Sequence, residues 1–171
     1  GRPLRGYRLH DQTGSSHLGA VWRATQPGVG REVSVTVVDP HSASSASLLT
    51  DFDSMAHALG RLDHPNITGV LDAWTDASGT YVVTRLARGT PLDALHAAGP
   101  LNAAVADTVM RQVRAALDHA HGCGVGHGGL TESDIVIDAD SNASVTGWGV
   151  TATTEAVAAD EEAVSSIAAR L

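Results

Sequence analysis

His127-Gly128-Gly129-Leu130-Thr131-Glu132-Ser133-Asp134-Ile135-Val136-Ile137 is the stretch on which the reading of this chain turns. A histidine and two glycines lead into a polar turn that ends on a carboxylate, and a β-branched run follows at once. Upstream, the apolar stripe Val105, Val109, Val113, Ala116, Leu117 and Ala120 has helical spacing and predicts a helix from about Leu101 to His121. Downstream come a second short strand, Ser144-Val145-Thr146, the triplet Gly147-Trp148-Gly149, and a helix that begins near Ala158 and still runs at Leu171. A long helix, a glycine-rich loop and two short strands in that order make the second half mostly helical.

Before this half the patterning differs. Tyr7-Arg8-Leu9, Ala20-Val21-Trp22 and Val33 to Val38 alternate with turns and predict three strands in meander order. Leu48, Leu49, Phe52, Met55, Ala56, Leu59 and Leu62 predict one amphipathic helix from Ser47 to Leu62, closed by Gly60 and His64-Pro65. Two more strands are expected around Thr68 to Trp74 and Thr80 to Leu86. A short helix from Pro91 to Ala98 then opens the second half, with Leu86 to Thr90 as the hinge. The expected class is α+β in two lobes: residues 1–88 with a five-stranded antiparallel sheet and one helix, and residues 89–171, mostly helical.

Composition narrows the function. The chain of 171 residues is 43% hydrophobic, enough for a core, and its formal charge of −8 disfavours binding to nucleic-acid phosphates. All 11 basic residues are arginine, so no lysine is available to clamp a phosphate or form a Schiff base. The single cysteine, Cys123, cannot form an internal disulfide, and no stretch of about 18 apolar residues is present. A cytoplasmic setting is expected.

Read together, these elements resemble a eukaryotic-type Ser/Thr protein kinase of the bacterial kind. Gly14-Ser15-Ser16-His17-Leu18-Gly19-Ala20-Val21 resembles the glycine-rich loop, with Ser16 at its middle glycine. Val33-Ser34-Val35-Thr36 resembles the V-A-x-K strand, and Leu62-Asp63-His64-Pro65-Asn66-Ile67, then Tyr81-Val82-Val83-Thr84, follow at kinase spacing. The resemblance covers about residues 6 to 171.

It also implies where the chemistry has changed. Thr36 stands in the place of the phosphate-pairing lysine, and Met55 in that of its glutamate partner. His127 to Asp134 matches H-R-D-L-x-x-x-N, with Gly129 replacing the aspartate that orients the substrate hydroxyl and Asp134 replacing the magnesium-binding asparagine. Gly147 takes the metal-binding position of D-F-G. The nucleotide-site positions Gly14, Ser16, Gly19, Thr36, Met55, Thr84, Gly129, Asp134 and Gly147 are therefore read as degenerate, and the chain as a catalytically inactive domain, not an enzyme, with no cofactor and no metal. The resemblance assigns structural roles to Leu59, His127 and Trp148, as an internal column, and to Asp160, as the anchor of the catalytic-loop backbone.

Within that lineage, Val33 to Pro40 preceded by Gly6-Tyr7-Arg8-Leu9 looks like the kinase-like domain of actinobacterial MviN (MurJ-type) lipid II flippases. That implies a regulatory module in peptidoglycan synthesis that recruits a forkhead-associated domain protein, held at the inner face of the plasma membrane by a tether outside this chain. The alternative is an atypical nucleotide-binding phosphotransferase using Asp134, kept open by Gly14, Gly19 and Thr84. His119, His121, Cys123 and His127 could be drawn as a zinc site, although without a paired C-x-x-C frame. Thr151, Thr153 and Thr154 lie in an expected loop where phosphorylation could act, and Arg2, Arg5 and Arg8 form an N-terminal arm suited to solvent or an anionic membrane surface.

Overall fold

The computed structural model describes residues 3–171; Arg2, placed in the N-terminal arm by the sequence, lies outside them. In the first lobe β1 (Pro3–Leu4), β2 (Tyr7–Ser16), β3 (Gly19–Thr25) and β4 (Glu32–Val38) are followed by α1 (Ala46–Thr50) and α2 (Phe52–Gly60), then β5 (Val70–Asp76) and β6 (Gly79–Arg85). All neighbouring strands run antiparallel, in the order β1-β2-β3-β4-β6-β5. The expected five-stranded sheet is thus present as β2 to β6, with a two-residue edge strand added. That edge comes from a tight hairpin in which Arg5 (φ 52°) and Gly6 (φ 88°) both take positive φ, the geometry a two-residue turn needs. The Arg5 guanidinium sits 5.4 Å from the Trp74 ring.

Strand alternation sorts β4 into two faces. Val33 and Val35 are buried with Tyr7, Trp74, Tyr81 and Val83 in an outer cluster, where the Trp74 ring lies 5.5 Å from Tyr7 and 5.0 Å from Tyr81. Ser34 and Thr36, one residue out of phase, line the cleft between the lobes.

The single helix expected from Ser47 to Leu62 is two. Asp51 leaves the helical region (φ −137°, ψ 68°), and its carboxylate accepts a hydrogen bond from the Ser54 backbone N–H. An aspartate that caps its own downstream turn ends one helix and starts the next. Met55 and Leu59 on α2 then face the main core.

The second lobe holds β7 (Thr90–Pro91), α3 (Leu92–Ala98), α4 (Ala103–Gly122), β8 (Val125–Gly126), β9 (Ile135–Ile137), β10 (Ala143–Val145), β11 (Val150–Thr151) and α5 (Thr154–Arg170). Asn102 caps α4, which buries Val109, Met110, Val113, Ala116, Leu117 and Ala120. The last helix begins at Thr154, four residues earlier than the sequence suggests, because the Thr153 hydroxyl accepts from the Ala156 N–H and caps it. Its buried positions are Ala156, Asp160, Val164 and Ile167, a spacing of four, four and three residues that places one carboxylate on the inward stripe.

Candidate functional site: the cleft between the lobes

A cleft of about 460 Å³ opens between the sheet and the second lobe. Gly14, Ser15 and Ser16 at the end of β2, with Thr36, Thr84 and Leu86, form one wall. Val136, Thr146, Gly147 and Asp134 form the other. Of the nine positions read as the altered nucleotide site, six line this cleft: Gly14, Ser16, Thr36, Thr84, Asp134 and Gly147. The other three lie behind it. Met55 is buried in the main core, Gly19 packs its Cα against the Val37 carbonyl, and Gly129 lies under His17. Arg85 is the one basic residue on the cleft wall, against Asp93 and Asp134, and the walls are rich in hydroxyl groups.

Asp134 is 6% exposed. Its Oδ2 accepts from the Thr131 N–H (2.9 Å) and the Thr131 hydroxyl (3.1 Å), a reciprocal cap that fixes the turn, and lies 3.8 Å from His127 Nε2. Its Oδ1 points towards Gly147, 3.6 Å from where a β-carbon would stand. A carboxylate held this way can accept a proton or ligate a cation, but no lysine stands opposite it.

The inner end of the cleft is closed by a side chain the sequence did not single out. His17, at the tip of the β2–β3 turn, donates from Nε2 to the Gly147 carbonyl (2.7 Å) and stacks on His127 with ring centroids 4.7 Å apart. A β-carbon on Gly129 would come within 2.7 to 2.9 Å of its ring. Burial, and then the neighbouring His127, hold the His17 pKa below the usual histidine value. Leu18 beside it is 2% exposed and reaches Gly149. The tip is tied to the chain after β4: the Ser42 hydroxyl donates to the His17 carbonyl, Asp39 N–H donates to the Leu18 carbonyl (2.7 Å), and Ser45 Oγ lies 3.3 Å from it.

Behind the loop the polar contacts are complete. Asp160, fully buried, accepts from the His127 N–H (2.9 Å), the Gly128 N–H (2.8 Å) and His121 Nε2 (2.7 Å). His127 donates from Nε2 to the Thr146 carbonyl (2.6 Å) and accepts at Nδ1 from the Gly129 N–H (3.3 Å). The Trp148 ring meets His127 edge-on at 5.4 Å and donates from Nε1 to the Val145 carbonyl (2.9 Å). Leu59, fully buried, and Trp148 belong to one core cluster.

The histidines and cysteine drawn as a zinc site have separate partners. His119 Nε2 accepts from the Asp63 N–H (3.2 Å) and lies 3.8 Å from the Cys123 sulfur, while His121 and His127 are committed as above. Among the described residues, no three potential metal-ligating side chains come together. The three threonines expected in a loop have structural places: Thr151 pairs with Val125, Thr153 is the cap and Thr154 opens the last helix.

The protein kinase domain model matches residues 7–167. The chain belongs to the protein kinase family. Serine/threonine-protein kinase PknE of Mycobacterium bovis is 30% identical over 149 residues, 86% of this chain and 26% of that protein. PknD of Mycobacterium tuberculosis is 30% identical over 145 residues, 84% of this chain and 22% of its own length, and PknA of the same species 29% identical over 150 residues, 84% and 35%. The chain thus spans about a fifth to a third of the length of these curated relatives. The solved PknI kinase domain of M. tuberculosis matches with a TM-score of 0.81 at 22% identity, covering all of this chain and 74% of that one, which shows the fold.

The family finding corrects one expectation. The expectation that the chain is no enzyme rests on the altered positions Ser16, Thr36, Met55, Gly129, Asp134 and Gly147. The kinase-domain match and the named Ser/Thr kinases among its relatives point instead to an enzyme. Among the described residues, no helix is long and apolar enough to cross a membrane.

Proposed function

We propose that this kinase-family domain is a regulatory, protein-interaction module in the control of peptidoglycan synthesis, in the manner of the kinase-like domain of actinobacterial MviN-type flippases that its sequence resembles. The observation that carries the reading is the contrast across one loop. Asp160 retains both backbone contacts to His127 and Gly128, whereas Thr36, Met55, Gly129 and Gly147 carry none of the charges a phosphate clamp uses. A scaffold held by full hydrogen bonding suits a domain that works through its surfaces. The partner is proposed to be a forkhead-associated domain protein, and the setting the inner face of the plasma membrane, through a tether outside this chain. Titrating the longer protein, before and after phosphorylation by a Ser/Thr kinase, with a forkhead-associated domain tests this. Phosphorylation-dependent binding is expected, and equal or absent binding in both forms rejects the partner.

A second reading is favoured by the named kinases among the relatives and by the position of Asp134 on the cleft wall. Here the domain transfers a phosphoryl group in an atypical way, with Asp134 holding magnesium. Transfer from radiolabelled ATP that is lost in Asp134→Ala supports it, and transfer unchanged in that variant removes Asp134 from the chemistry.

A further inference from the structure

The space behind the cleft is filled by a side chain from the opposite lobe. His17 crosses from the β2–β3 turn, its Nε2 2.7 Å from the Gly147 carbonyl and its ring over Gly129. Gly129 is needed for the crossing, and Gly147 for the packing of His127 beneath it. A β-carbon at Gly129 would overlap the His17 ring, and one at Gly147, where φ is +96°, would stand 2.9 Å from His127 Nε2. The turn cannot swing out cheaply, because Leu18 is buried beside it and the Leu18 carbonyl takes the Asp39 N–H. The open part of the cleft ends at Ser16, Asp134 and Gly147 and does not reach Gly129.

We propose that His17 is a specificity-determining plug: it occupies the room left by Gly129 and ties to the Gly147 carbonyl, so that a ligand carrying phosphates must displace it, while a ligand of nucleoside size without phosphate need not. The walls suit the second class. Hydroxyl groups of Thr36, Thr84 and Thr146 can hydrogen-bond a neutral ligand, and Val21, Leu86 and Val136 supply apolar contact. At the inner end, the carboxylate of Asp134 repels a phosphate that no lysine offsets. His17 is thus a latch on the inner end as well as a filler of it.

Binding of adenosine and of magnesium-ATP to the unmodified chain, His17→Ala and His17→Gln tests this by calorimetry and thermal shift. The unmodified chain should bind adenosine about ten-fold or more tightly than magnesium-ATP. In His17→Ala that ratio should shrink about ten-fold, with ATP tightening and adenosine moving less than about two-fold. His17→Gln, which keeps a donor to the Gly147 carbonyl, serves where the alanine variant does not fold, and should lie between. Equal or tighter binding of ATP by the unmodified chain, a ratio unmoved by both variants, or binding of neither ligand overturns the proposal. Because the readout is small-molecule binding, its failure is distinct from a failure of partner recruitment.

Discussion

The two sides of the loop from Gly126 to Asp134 have been treated differently. On the side facing α5, two backbone N–H groups and one imidazole converge on a buried carboxylate, and His127 itself is bonded at both ring nitrogens. On the side facing the cleft, Gly129 stands bare and a histidine from the other lobe lies over it. The first side cannot lose a partner without stranding a buried polar group, which costs far more than the bond contributes. The second keeps one carboxylate, Asp134, whose partners come from its own turn. A loop can therefore keep its backbone course while its cleft face changes, because the forces that hold its shape come from behind it.

Several substitutions would break or sharpen that contrast. Asp160→Ala removes the acceptor for His127, Gly128 and His121 at once, and should cost about 3 kcal/mol or more. For a domain of this size that is a fall in Tm of roughly 6 to 12 °C by calorimetry. Next in size is Gly129→Ala, whose β-carbon meets the His17 ring and should destabilise by about 1 to 3 kcal/mol. In a His17→Ala background that cost should largely vanish, and a double-mutant cycle in urea reads the coupling directly. Additive losses would mean that the ring is not over Gly129 in solution.

The pH dependence should be smaller still. Burial lowers the pKa of His17, helped by His127 and opposed by the Gly147 carbonyl, Asp134 and Asp160. His64 is lowered by burial and by His119, against Asp63. Each imidazole is favoured in its neutral form by folding, so the unfolded chain binds more protons. Their contribution is complete above the ordinary histidine value of about 6.5 and is lost as pH falls below it. Midpoints of urea unfolding should therefore decline on acidification from pH 7.5 to about 5.5, less steeply in His17→Ala. The smallest effect is expected for Thr36→Val, on the cleft wall, where stability should stay within about 0.5 kcal/mol.

Much of this was legible before the fold was seen. The change from alternating to helical periodicity near Pro91 separated the lobes, because strands and helices present their apolar residues at different intervals. Asp160 could be singled out through the family resemblance alone, since the adjoining Glu161 and Glu162 hide it among other carboxylates. The break at Asp51 was not legible, since aspartate fits both a helix surface and a helix cap, and only its backbone angles decide between them. The early start of α5 did leave a signal, a threonine three residues before a buried alanine, which loop composition masked. His17 was hidden for a different reason. Its side-chain contacts lie more than 100 residues away, and local pattern carries no information on what fills a gap left by a distant glycine.

The most direct test of the account is the NMR titration of the His17 ring. With the loop closed, its protons should show nuclear Overhauser contacts to Gly129 and to the His127 ring, and it should titrate below the ordinary histidine value. Gly129→Asp should abolish both signatures together while leaving the His127 and Gly128 amides protected by Asp160. A His17 ring that titrates like a solvent-exposed imidazole in the unmodified chain, without contacts to Gly129, would contradict the closed cleft on which the account rests.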